Sequence, residues 1–172
     1  VLFLTTLADP YKASGMYAWL MGSLTGPDFQ TVLVLAGYLL LGIFVLVSQA
    51  SSLNLLTLGE EAARSLGVEV ERVKRVVFTA SALLTGAVVA FSGLIGFVGL
   101  IVPHAVRLMF GADHRLLLLA SGILGGMFLM VADTVARTLL SPAEIPVGVV
   151  TALVGGPIFL YLLVQRRGKM AA

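Results

Sequence analysis

The 172-residue chain has no cysteine, so neither a disulfide framework nor a thiolate metal site can be built from it. Charge is scarce as well: Asp, Glu, Lys and Arg make up 12% of the residues, whereas 59% are hydrophobic. Soluble domains carry about 25% charged residues. With a mean hydropathy of +1.04, the chain has too little polar surface to cover its apolar side chains in water. Its expected solvent is lipid. Enzymatic signatures are also missing. No GxxxxGK(S/T) phosphate loop occurs, which excludes ATP hydrolysis by a P-loop, and neither a GxSxG elbow nor an HExxH pair is present. The chain begins at Val1 inside an apolar stretch, without the charged region and small-residue cleavage site of a signal peptide. That start reads as helix interior, and the expectation is a piece of a longer protein.

What is present is a series of apolar runs. Thr31–Ser48, Leu116–Ala132 and Val147–Val164 carry no charge, and each is near the ~17–25 residues a spanning helix needs. Helices are expected because lipid offers the backbone no hydrogen-bond partners. The one sustained charged stretch, GEEAARSLGVEVERVKR from Gly59 to Arg75, is helix-forming in composition and broken at Gly67. It predicts two short helices outside the bilayer.

Residues 76–110 are nearly continuously apolar but interrupted by Gly93, Gly96, Gly99 and Pro103. The basic residues decide between one span and two. With two spans, Arg64, Arg72, Lys74, Arg75, Arg107, Arg115, Arg166, Arg167 and Lys169 fall on one side, and only Lys12 and Arg137 on the other. A single span would split them almost evenly. The positive-inside rule therefore favours two spans and a cytoplasmic C-terminus. The pI of about 9.2 is thus read as a topology signal rather than a nucleic-acid footprint. The resulting order is the end of a span plus an external segment (1–30), a span (31–48), a cytoplasmic loop (49–75), a span (76–92) and a short span (94–110). Spans at 116–136 and 147–164 and a cytoplasmic tail (165–172) complete it. The fold class is all-α, a polytopic transmembrane helical bundle.

Four places could carry function. Glu60, Glu61, Ala62, Ala63, Arg64 and Leu66 make a short helix between Gly59 and Gly67. Its alanines would let another surface approach and its charges would orient it; the alternative is a solvated connector. Asp133 and Arg137 stand at i and i+4 and can pair on one helix face near the outer end of a span. Either Arg137 meets an external acidic partner, or the pair only satisfies itself. His104, Asp113 and His114 suggest a metal, but histidines ten apart do not share a helix face, so no metal site is expected. Glu144 before Pro146 is explained by a helix start.

Four stretches also carry a resemblance to FecCD-type permeases of ABC importers. They are WLMGSLTG at Trp19–Gly26, LNLLTLGEEAARSLGV at Leu53–Val68, GFVGLIVPHAVRLMFGADHR at Gly96–Arg115, and EIPVGVVTALVGGPIFLYLL at Glu144–Leu163. They stand in the family's order and spacing across essentially the whole chain. The resemblance implies the C-terminal half of a permease with about ten membrane-crossing helices, in the bacterial cytoplasmic (inner) membrane. It implies import of an iron–siderophore complex, haem or cobalamin, without bond-making chemistry and without a cofactor.

The implied partners are two ATPase subunits, a substrate-binding protein and a second permease copy. Glu61, Ala62, Ala63 and Gly67 would be coupling residues, with Glu60, Arg64 and Leu66 beside them. In the Asp133–Arg137 stretch, Arg137 would dock the binding protein. The rivals are a secondary transporter or channel, with polar groups paired at the midplane, and an intramembrane enzyme using His104, Asp133 or Glu144.

Overall fold

A computed structural model of the chain describes residues 10–25, 28–139 and 145–170. Among them the regular structure is entirely helical. The elements are α1 (Pro10–Met21), α2 (Phe29–Ser48), α3 (Ala50–Leu56), α4 (Glu60–Ser65), α5 (Val70–Ser92), α6 (Val98–Phe110), α7 (His114–Thr138) and α8 (Val147–Met170). Four helices are long and apolar enough to cross a membrane: α2, α5, α7 and the Val147–Val164 part of α8. The apolar α6 is shorter.

The chain forms two compact units, one of residues 27–88 and 102–126, the other of residues 1–26, 89–101 and 127–172. In the first, α2 starts where the Asp28 carboxylate accepts the Thr31 N–H at 3.2 Å, satisfying one of the free donors of a helix start. The helix buries none of its residues. Leu33, Val34, Leu40, Leu41 and Phe44 are each more than 60% exposed, as suits a surface meant for lipid or for other helices rather than for water.

The segment after α2 is folded rather than trailing. Gly59 and Gly67 take φ of 104° and 84°, a region open to glycine at no steric cost, and they bracket α4. Glu60 and Glu61 occupy the first turn of that helix and Arg64 its last, which complements the helix dipole at both ends. The next helix, α5, begins at Val70, six residues before the span anticipated from position 76. Its first turns are amphipathic: Val70 and Val73 are buried, whereas Glu71, Arg72, Lys74 and Arg75 are not. The second of the two short helices expected in the charged stretch is thus continuous with the span, its buried valines on one face.

In the second unit, residues 93–97 break the long apolar run between α5 and α6. Gly93 and Gly22 have positive φ, and the backbones of Trp19, Gly22, Gly93 and Leu94 come together. The Ser23 N–H reaches the Ser92 carbonyl at 2.9 Å and the Leu94 N–H that of Trp19 at 3.3 Å. A small core of Ala132, Ala136 and Val147, flanked by Leu24, Leu129 and Val150, holds α7 to α8. Small side chains at such contacts allow close helix approach.

Candidate functional site

The charged loop builds one compact surface within the first unit. Its elements are α3, α4 and the start of α5, the last two linked by ion pairs. Lys74 pairs with Glu60, and Arg64 lies 3.7 Å from Glu71 and 3.9 Å from Glu60. The Lys74 ammonium, through its hydrogen bond and then its charge, holds the Glu60 carboxyl below the usual carboxylate range. These pairs are exposed, so each adds little stability. Together they link α4 to the start of α5.

Not every anticipated loop residue faces outward. Ala63 is fully buried, and its size lets α4 lie against its own chain. Ala62 is half-buried. The outward surface is made by Glu60, Glu61, Arg64, Leu66 and Gly67, with Leu58 and Leu66 66% and 59% exposed. Two leucines standing in water beside a charged helix are a patch suited to a protein partner.

Sequence reading passed over Ser51, Asn54 and the capping role of Asp113, which tie this surface to the start of α7. The Asn54 Nδ2 donates to Asp113 Oδ1 at 2.7 Å, and its Oδ1 accepts the His114 N–H at 2.8 Å. The Arg115 Nη2 donates to the Ser51 hydroxyl at 2.6 Å. Asp113 also accepts the Arg115 N–H at 3.0 Å, as a helix cap does. The Asn54 amide, followed by the Arg115 N–H, holds the Asp113 carboxyl below its ordinary range. The only sequence signal was the polar run Asp113–Arg115 at a helix start.

In the second unit, the Arg137 Nε donates to Asp133 Oδ2 at 2.8 Å. The two side chains are 42% and 23% exposed. They line a small cleft of about 110 Å³ with Ser23, Thr25, Ile145, Pro146 and Val147. The Ile145 N–H returns to the Ala136 carbonyl at 3.3 Å, which seats the start of α8 beside the pair. Asp133 orients the guanidinium while leaving part of it accessible.

His104 is exposed on α6, and His114 Nδ1 lies 2.8 Å from Asn54 Oδ1. Among the described residues no three His, Cys, Asp or Glu side chains gather as metal ligands would. Glu144 lies outside the described residues.

The sequence pattern of the FecCD transport family matches residues 1–165. The chain is 46% identical over 164 residues to the hemin transport system permease protein HmuU of Yersinia pestis, covering 95% of this chain and 49% of that protein. It is 51% identical over 148 residues to the cobalamin import system permease protein BtuC of Halobacterium salinarum, covering 86% and 40%. With the vitamin B12 import system permease protein BtuC of Yersinia pseudotuberculosis it shares 45% identity over 151 residues, covering 87% and 44%. A solved structure described as an inward-facing conformation of a metal-chelate type ABC transporter is similar in fold. Its TM-score is 0.82 at 37% identity, covering 95% of this chain and 53% of that one. The chain thus spans about half the length of the curated relatives it matches.

Proposed function

The chain belongs to the FecCD transport family, and from that premise we propose that it is part of the membrane-spanning permease of an ABC importer. The cargo class is an iron–siderophore complex, haem or cobalamin, in keeping with the hemin, cobalamin and vitamin B12 systems to which its relatives belong. The membrane is the bacterial cytoplasmic one. The partners are an ATPase that hydrolyses ATP in its own subunits, a substrate-binding protein and a second permease copy.

The observation that carries this reading is the folded surface of α3 and α4. A solvated connector has no reason to bury Ala63 while presenting Leu58, Leu66 and a fixed charge pattern outward. A docking element needs both. Glu60, Glu61, Arg64, Leu66 and Gly67 form the ATPase-facing side, and Ala62 and Ala63 let the helix lie close to its own chain. ATP-driven motion of the partner would reach the spans through this element, provided its contacts differ between the two states. Arg137 is the contact for the binding protein, a carboxylate of which its cleft would receive.

The test replaces residues 61–67 in the full-length permease with a Gly/Ser segment of equal length. ATPase co-purification and substrate uptake are then measured together. Loss of both is expected; unchanged partner binding with unchanged uptake would exclude the docking role.

A further inference from the structure

Resting on that reading of α3 and α4, we propose that Asn54 is a positioning residue that latches the coupling element to the start of α7. Motion received by α4 would then be delivered to α6 and α7 as well as to the helices continuous with the loop. Every residue involved lies within one compact unit.

The latch is directional chemistry rather than chance proximity. A carboxylate can only accept and a backbone N–H can only donate. With Nδ2 on Asp113 and Oδ1 on the His114 N–H, the Asn54 amide is satisfied in one orientation and frustrated in the other. The 2.8 Å contact between Asn54 Oδ1 and His114 Nδ1 is attractive when Nδ1 carries the proton of the neutral ring, which favours the Nδ1–H tautomer. Ser51 stands one turn before Asn54, on the same helix face, and receives Arg115. Two positions of α3 one turn apart therefore hold all three residues of the Asp113–Arg115 turn.

Placement gives the latch its consequence. Along the chain, the loop is attached to α2 through Gln49 and to α5 through residues 66–69. Neither connection reaches α6 or α7. Asp113 caps α7 and lies two residues beyond Gly111, which ends α6 with φ of 87°. The same Oδ1 that accepts the Arg115 N–H accepts Asn54, so displacing α3 pulls on the cap of α7 directly. Coupling between distant sites needs such a contiguous element, and its demonstration needs a measured coupling.

The experiment uses the full-length permease with its ATPase and binding protein in proteoliposomes. Asn54→Asp sets two carboxylates against each other. Import per ATP hydrolysed should fall about tenfold, the scale of one lost charge-assisted hydrogen bond, while ATPase co-purification stays unchanged. Asn54→Asp with Asp113→Asn restores the pair with donor and acceptor exchanged. The carboxylate introduced at position 54 still accepts the His114 N–H, whereas the amide introduced at position 113 gives up its bond to the Arg115 N–H, because one atom, Oδ1, serves both partners in the parent. Import per ATP should recover about threefold or more from the single variant, short of the starting value by the lost cap bond.

A wild-type ratio in the single variant, or a loss that the exchange does not rescue, overturns the latch. Should Asn54→Asp not be produced, Asn54→Ala and Asp113→Ala decide, alone and together. Non-additive losses in import per ATP support the latch, and additive ones overturn it. The parent reading fails separately, by retained ATPase binding and uptake after replacement of residues 61–67.

Discussion

The ring of Phe97 covers Gly155, so closely that a Cβ on Gly155 would fall on the Cβ and Cγ of the phenylalanine. Phe97 holds that place with φ of 66°, the only non-glycine residue in the left-handed region among those described. Its ring also meets Phe159 at a centroid distance of 6.5 Å and an angle of 59°, within the range of favourable aromatic pairs. The backbone cost of this conformation is about 1–2 kcal/mol, and the contacts to α8 offset it.

The usual ranking of alanine over glycine should therefore invert at this position. Phe97→Ala removes the ring and keeps the strained backbone, whereas Phe97→Gly removes both. Both variants should be less stable than the parent, with Phe97→Gly ahead of Phe97→Ala by about 1 kcal/mol. Thermal unfolding of the two purified variants checks this. Equal midpoints, or alanine ahead, would mean that the left-handed backbone is not retained.

The glycines of the same unit give a second prediction. A Cβ on Gly148 would lie on the Met21 carbonyl oxygen, and one on Gly93 on that of Trp19. Both obstacles are backbone, which cannot swing aside as a side chain can. Gly148→Ala and Gly93→Ala should each cost about 1–3 kcal/mol, the scale of overpacking. Gly93→Ala should be the more harmful, because its φ of 69° adds strain. Yield of folded protein after detergent extraction, followed by thermal unfolding, measures both. Parent-like stability in either would show that the backbones are not so close.

Much of this was legible in the sequence where one residue type has one physical meaning. Glycines at 59 and 67 with acids between them mark a short helix, because only the glycines take positive φ easily and the acids favour its first turn. The break at residues 93–97 was visible as clustered glycine and as an asymmetry of basic residues. The start of α5 was not, because burial of Val70 and Val73 depends on what they pack against. Nor was the inward face of Ala63. Asn54 and Asp113 carry no periodic signal at all. Polar groups 59 positions apart become partners only when the chain has folded around them.

The Asp113 carboxyl supplies a pH prediction. Its folded pKa is lowered, first by the Asn54 amide and then by the Arg115 N–H. A depressed folded pKa contributes stability that is present above the ordinary carboxylate pKa and is lost as pH falls through the folded value. The parent should be more stable than Asp113→Asn at neutral pH, and the gap should close in acid, below the ordinary carboxylate range. Thermal midpoints of the two proteins across that range test this. A gap that persists unchanged in acid would assign the difference to shape rather than charge.

Arg137 can be tested by its role rather than its stability. Asp133 holds the guanidinium at 2.8 Å, yet 42% of the arginine side chain remains exposed beside the cleft of Ser23, Thr25 and Ile145. A docking arginine should lose its partner on charge reversal, because a carboxylate from the binding protein would then meet the introduced carboxylate and that of Asp133 together. In the full-length permease, Arg137→Glu should weaken capture of the binding protein by about tenfold or more. The loss should shrink as salt is raised, since screening weakens exposed charge contacts. Arg137→Lys keeps the charge but not the planar fork, and should fall between parent and reversal. Surface-bound permease titrated with binding protein at two ionic strengths gives all three affinities. Equal affinities would return Asp133 and Arg137 to a structural ion pair, exposed enough to contribute little to stability.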